Sequence, residues 1–223
     1  MAEAEPHRGK ILKVGLTGGI ACGRSTIAKM FEERGCYCID ADKIVHHLLQ
    51  LPNPTWKRVV EYFGEEILNP DRTINRKRLG AIVFSDREKR ERLNSIVHPQ
   101  VIAEENRLTE EYLLSGGEGI VIVDAALMIE TGSHHRFDKI TVVYTDEQTQ
   151  LKRLIERNGI SPEEAQKRIA AQLPLREKLL YANYKISTSG NLQDTERQVE
   201  EVFQSLKEDW RRKFSSIPPG KNL

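Results

Sequence analysis

Short apolar runs alternate along this chain with longer stretches in which apolar residues recur at helical spacing. Lys13–Leu16, Tyr37–Ile39, Gly119–Asp124, Lys139–Tyr144 and Tyr184–Ser187 read as strands. Helical patterns cover Ser25–Arg34, Lys43–Leu49, Thr55–Phe63, Arg76–Phe84, Asp86–Leu114, Asp146–Arg157, Ser161–Gln172 and Asn191–Phe214. Strands that alternate with helices imply parallel βαβ units, so the pattern predicts an α/β fold with one five-stranded parallel sheet flanked by helices. The alternation breaks between Ile39 and Gly119, where helical pattern is punctuated only by Pro52-Asn53-Pro54 and Asn69-Pro70-Asp71. That interval far exceeds a simple crossover and reads as a helical insertion beside the sheet. A shorter insertion near Arg153–Glu177, rich in Arg, Lys and Glu, reads as a helical flap. The polar ends, 1–10 and 210–223, are expected to be frayed.

Composition narrows the function classes. The 223 residues include 39% apolar residues, near the soluble globular norm, so a sizeable core is available. Lys+Arg at 34 nearly cancel Asp+Glu at 33, which is not the basic footprint of a nucleic-acid binder. No apolar run approaches the ~18 residues of a membrane span, and the start lacks a signal-peptide core, so a cytoplasmic protein without membrane or nucleic-acid partners is expected. The odd cysteine count (Cys22, Cys36, Cys38) fits a reducing compartment. Cys36 and Cys38 alternate with Tyr37 and are expected as buried thiols on one side; no second Cys or His pair stands at metal-ligand spacing, and His46-His47 and His134-His135 are given no metal role.

The chemistry concentrates after the first strand. Gly18-Gly19-Ile20-Ala21-Cys22-Gly23-Arg24-Ser25 matches the phosphate-loop pattern G-x-x-x-x-G-K-[ST] at every defined position except Arg24, which stands where lysine normally reaches the β- and γ-phosphates. A loop between a strand and a helix N-terminus points successive backbone N–H groups at one oxyanion. Gly18, Gly19, Ala21, Cys22, Gly23, Arg24, Ser25 and Thr26 are therefore expected to bind the phosphates of ATP, with the Ser25 hydroxyl a ligand for Mg2+.

Asp40 and Asp42 follow the second strand, at the carboxyl end where open α/β sheets place ligands. An extended chain there would aim both carboxylates to one side. One carboxylate can take a proton from an attacking hydroxyl, or cap the helix beginning near Lys43; Asp42 is assigned the base and Asp40 the structural part. Asp124 ends the run Ile120-Val121-Ile122-Val123, the position of an acid that steadies Mg2+, and also a common place for a turn former. Arg153 and Arg157 lie one helical turn apart and, with Arg168, either close over a triphosphate or form a solvated charged face. His98, alone before Pro99, is by itself more often structural than ligand-binding.

Taken in order, these features resemble the dephospho-coenzyme A kinase family. The carrying segments are Gly15-Leu16-Thr17-Gly18-Gly19-Ile20, Ile39-Asp40-Ala41-Asp42, Ile82-Val83-Phe84, Leu93-Asn94 with Val97-His98-Pro99, Asp124 to Glu130, Gln150-Leu151-Lys152-Arg153 with Arg157, and Ala170-Ala171-Gln172 with Glu177-Lys178. The resemblance implies a P-loop NTPase fold and transfer of the ATP γ-phosphate to the 3′-hydroxyl of dephospho-coenzyme A, the last step of coenzyme A synthesis. It implies a nucleotide-binding core (11–42, 118–152 and 178–209), a helical acceptor-binding domain (43–117) and a lid (153–177). Asp42 then matches the general base and Arg153 the lid arginine, with Arg24 a third catalytic group. Arg157 falls to ATP, and Asp42, His98 and Leu127 to the acceptor. Ser25 and Asp124 fall to Mg2+. Departures from the family pattern are Arg24 for lysine, Ala21 for glycine, Ala126 for proline, Asn183 for aspartate and Thr188 for asparagine.

Overall fold

The computed structural model describes residues 9–215. Its five strands are β1 (Ile11–Gly18), β2 (Tyr37–Asp40), β3 (Gly119–Asp124), β4 (Lys139–Tyr144) and β5 (Tyr184–Ser187), hydrogen-bonded side by side in the order β2-β3-β1-β4-β5. β1 pairs in parallel with β3 and β4, and β4 in parallel with β5. The helices are α1 (Arg24–Glu32), α2 (Ala41–Leu48), α3 (Pro54–Phe63), α4 (Arg76–Ser85), α5 (Arg87–Leu114), α6 (Glu147–Asn158), α7 (Pro162–Ala170), α8 (Leu175–Lys178) and α9 (Leu192–Ser215). Each expected strand and helix is present, with ends shifted by a few residues. β1 outruns its expected span because Thr17 and Gly18 continue the ladder against Val142 and Val143 of β4.

The core follows from the sheet's burial on both faces. Ile120 to Val123 are all buried, as parallel strands covered on two sides require. On one face Val14, Leu16, Ile122, Val143 and Ile186 pack with Ile27 and Phe31 of α1 and Val199 and Leu206 of α9. Ile140 and Val142, one position out of phase with Val143, pack with Met128 on the other.

The chain divides into two compact units, one carrying the sheet (up to Ile39 and from Thr109 onward), the other Asp40–Leu108. The last residues of α5 belong with the sheet unit: the Tyr112 ring stacks on Tyr37 at 4.4 Å and its hydroxyl donates to Glu118 O at 3.0 Å. The expected lid is likewise part of the sheet unit, and its boundary at 153 cuts through α6, which is continuous from Glu147. Within the other unit, Asn53 and Asn75 cap α3 and α4 by accepting from Thr55 N and Arg78 N, and Trp56, Val59, Phe63, Ile67 and Leu79 are buried.

The expectation of frayed ends at 1–10 and 210–223 needs correction where the structure describes them. α9 runs to Ser215, Trp210 Nε1 donates to Lys10 O at 2.6 Å, and Lys213 Nζ reaches Asp138 at 2.6 Å and Ile11 O at 3.2 Å. The amphipathic stripe of α9 carries its last turns across the start of β1, where these donors find partners. Residues 1–8 and 216–223 lie outside the described residues.

Candidate active site

β1 lies between β3 and β4, so the loop leaving its carboxyl end opens at a topological switch point of the sheet. Gly18 is required there by close approach: a Cβ would stand 2.2 Å from Val143 O of the neighbouring strand. At the other end Gly23 caps α1 with φ 85°, a left-handed conformation that costs glycine nothing, and its carbonyl accepts from Thr26 N and Ile27 N. Ala21 also has φ 60°, where a family glycine would sit without strain. Ser25 and Thr26 are exposed in the first turn of α1.

The loop is held from outside by side chains. Ile20 N donates to Gln172 Oε1 at 2.7 Å, and Gln150 Nε2 donates to Ile20 O at 2.9 Å. Thr188 Oγ1 donates to Cys22 O at 3.0 Å, and Lys178 Nζ lies 3.4 Å from Gly18 O. Lys178 is fully buried; it donates to Ala126 O at 2.9 Å and pairs with Glu130 at 2.7 Å. Burial pushes the Lys178 pKa down, the Glu130 carboxylate opposes that shift, and the nearby charge of Arg24 adds to it. Cys22 is buried in the loop and burial raises its thiol pKa, so it is a packing residue and not a nucleophile.

Arg24 is ion-paired with Asp124, both side chains being mostly buried. The pairing follows from register: Asp124 stands opposite Leu16 at the end of the β1–β3 ladder, close to where α1 begins. Arg153 Nη1 and Nη2 donate to Thr188 Oγ1 and O at 2.9 and 2.8 Å, so its guanidinium is anchored at the end of β5. Arg157 is exposed and bonds Asn158 at 3.0 Å, while Arg168 pairs with Glu164 at 3.1 Å. Arg153, Arg157 and Arg168, read from the sequence as either a triphosphate clamp or a solvated charged face, thus have separate partners. Leu127 is about half exposed in the turn after β3.

In the helical unit, Asp40 is the N-cap of α2, accepting from Lys43 N at 2.9 Å, as its structural assignment anticipated. The helix begins at Ala41, so Asp42 lies exposed in its first turn. The extended geometry expected to align the two carboxylates is therefore replaced by a cap followed by a helical turn. His98 is half-buried within α5, which continues through Pro99.

A strand–loop–helix with glycines at both ends, a cation at the loop's seventh position and a carboxylate closing the adjacent strand has the form of a phosphate loop, which many nucleotide-dependent enzymes share. Comparison with known proteins narrows it. The family model for dephospho-CoA kinase matches residues 12–194. This chain belongs to the dephospho-CoA kinase family. A dephospho-CoA kinase of Syntrophus aciditrophicus is 42% identical over 97% of this chain and 94% of its own length. A dephospho-CoA kinase domain-containing protein of Danio rerio is 43% identical over 86% of this chain and 84% of its own. Among solved structures, a protein of Thermus thermophilus superposes with TM-score 0.72 at 30% identity, covering 87% of this chain and 97% of that one. The dephospho-CoA kinase of Campylobacter jejuni gives 0.63 at 28% identity, covering 89% and 98%.

The residues of this family member that sequence reasoning passed over are Gln150, Gln172, Lys178 and Thr188. The first three marked the family without any assigned role, and Thr188 stood only as a departure from its pattern. Their partners on the loop are distant in sequence, and nothing in local spacing signals that a lysine at the foot of α8 is fully buried.

Proposed function

We propose that this protein transfers the γ-phosphate of ATP to the 3′-hydroxyl of dephospho-coenzyme A, completing coenzyme A in the cytoplasm. The observation that carries the reading is the phosphate loop itself, formed and braced at the end of β1 in a chain whose family is dephospho-CoA kinase. The amides of the loop and of the first turn of α1 bind the phosphates, and Arg24 supplies the charge that a lysine usually brings. Asp124 and Ser25 offer hard oxygens of the kind that would hold Mg2+. When bound, that ion neutralises charge on the transferring phosphoryl group. Asp124 holds Arg24 in this state, so it would serve both partners.

Asp42 takes the proton of the acceptor hydroxyl; its position two residues beyond β2 and its exposure support that part. Arg153, with Arg157, neutralises charge on the nucleotide and excludes water as the lid helices settle. His98 and Leu127 contact the acceptor. The test is a coupled ADP-release assay with ATP, magnesium and dephospho-coenzyme A, with mass spectrometry of the acceptor. Gain of one phosphate on the acceptor is expected; acceptor-independent ADP release, or none at high enzyme, would sink the proposal.

A further inference from the structure

Ile20, in the middle of the phosphate loop, has its N–H and its carbonyl, which belong to successive peptide units, both taken by glutamine side chains. Its N–H donates to Gln172 at 2.7 Å and its carbonyl accepts from Gln150 at 2.9 Å. Gln150 is buried on α6, and Gln172 lies on the segment between α7 and α8. That segment is itself anchored, because Leu173 N donates to Glu130 at 3.1 Å and Lys178 pairs with the same carboxylate. A trans peptide is planar, so its carbonyl and the following N–H point in opposite directions. Holding Ile20 O towards Gln150 turns the Ala21 N–H the other way. Thr188, bonded to Cys22 O at 3.0 Å, does the same for the Gly23 N–H. The amides of Ile20 and Cys22 are meanwhile occupied, by Gln172 and by Gly19 O at 3.2 Å.

We infer that Gln150 and Gln172 are positioning residues of the nucleotide site, a two-sided clamp on Ile20 that aims the Ala21 and Gly23 amides at the phosphates before ATP arrives. Ala21 gives the clamp its purpose. An alanine at φ 60° is held against its own preference, so the loop needs an external restraint that glycine there would not require. A nest aimed in advance avoids reorganisation on binding, and this favours phosphates over the nucleoside. The inference rests on the reading of this loop as an ATP site.

The test compares ADP with adenosine, which differ only in the groups the loop would touch. Dissociation constants are measured by calorimetry for ADP and by ligand-observed NMR for adenosine. The proteins are the wild type, Gln150→Met and Gln172→Met, each of which keeps side-chain length and loses the polar atoms. One lost hydrogen bond on each side of the clamp should weaken ADP by about 5- to 20-fold in each variant, with adenosine within about twofold of wild type. Near-UV circular dichroism checks folding; should the buried Gln150 variant not fold, the half-buried Gln172 variant decides. Equal weakening of ADP and adenosine, or ADP unchanged in both variants, would overturn the clamp. A wild type that binds no ADP would overturn the kinase reading instead.

Discussion

Replacing Glu130 with glutamine removes the charge from a buried ion pair and little else. Lys178 has none of its side chain exposed, Glu130 a fifth, and their polar atoms are 2.7 Å apart. Glutamine retains an oxygen for Lys178 and for the Leu173 N–H. Removing one partner of a buried pair typically destabilises by about 3–5 kcal/mol, and the partial exposure of Glu130 places this case near 3 kcal/mol. The ceiling is set by the lysine giving up its proton: from an unfolded pKa of ~10.4 to pH 7, at ~1.4 kcal/mol per unit, is about 5 kcal/mol. Burial already lowers the folded pKa of Lys178 below the unfolded value. The unfolded chain therefore binds more protons between the two values, and stability rises with pH across that window. Loss of the carboxylate, which now opposes the effect of burial, lowers the folded pKa further. The gap between wild type and variant should be fully open below the variant's Lys178 pKa. Above it the gap narrows by up to ~1.4 kcal/mol per pH unit, and it closes above the wild-type value. Urea denaturation of both proteins at pH 7, 8 and 9, with equal m-values, measures this. A difference under about 1 kcal/mol at pH 7, or one that stays constant to pH 9, would refute the buried-charge argument.

Three other expectations follow from the loop and the thiols. Ala21→Gly should relieve a left-handed alanine of about 1–2 kcal/mol against about 0.5–1 kcal/mol of added backbone entropy, a net gain of about 0.5–1 kcal/mol and a rise of a few degrees in Tm by calorimetry; an unchanged or lower Tm would count against the strain. Arg24→Met removes the cation that pairs with Asp124 and should lower kcat/KM by about a hundredfold or more, while Arg24→Lys stays within about tenfold of wild type; a large gain with lysine would show that the arginine impairs the loop. Burial raises the pKa of all three cysteines, that of Cys36 to about 12. Iodoacetamide at pH 8 should label the folded protein at least about a hundredfold more slowly than the urea-unfolded chain, because only the thiolate reacts. A thiol labelled at the unfolded rate would place it outside the core.

What the sequence determined by itself was the local and periodic part of this protein. The five strands and their helices were legible because burial on both faces writes uninterrupted runs such as Ile120 to Val123, while helices write a longer period. The phosphate loop was legible because its spacing and glycines are imposed by one strand-to-helix turn. Asp40 was legible as a cap for the same reason: its partner, Lys43 N, is three residues away. The tertiary structure alone decided what depends on chain crossings. The Arg24–Asp124 pair, the Gln150 and Gln172 clamp on Ile20, the Arg153 anchor on Thr188 and the burial of Lys178 each join segments that meet only after the sheet has formed. Hydrophobic period records which face an element buries; it carries no record of which distant polar atom a buried lysine or glutamine will meet, because that is set by sheet order and register.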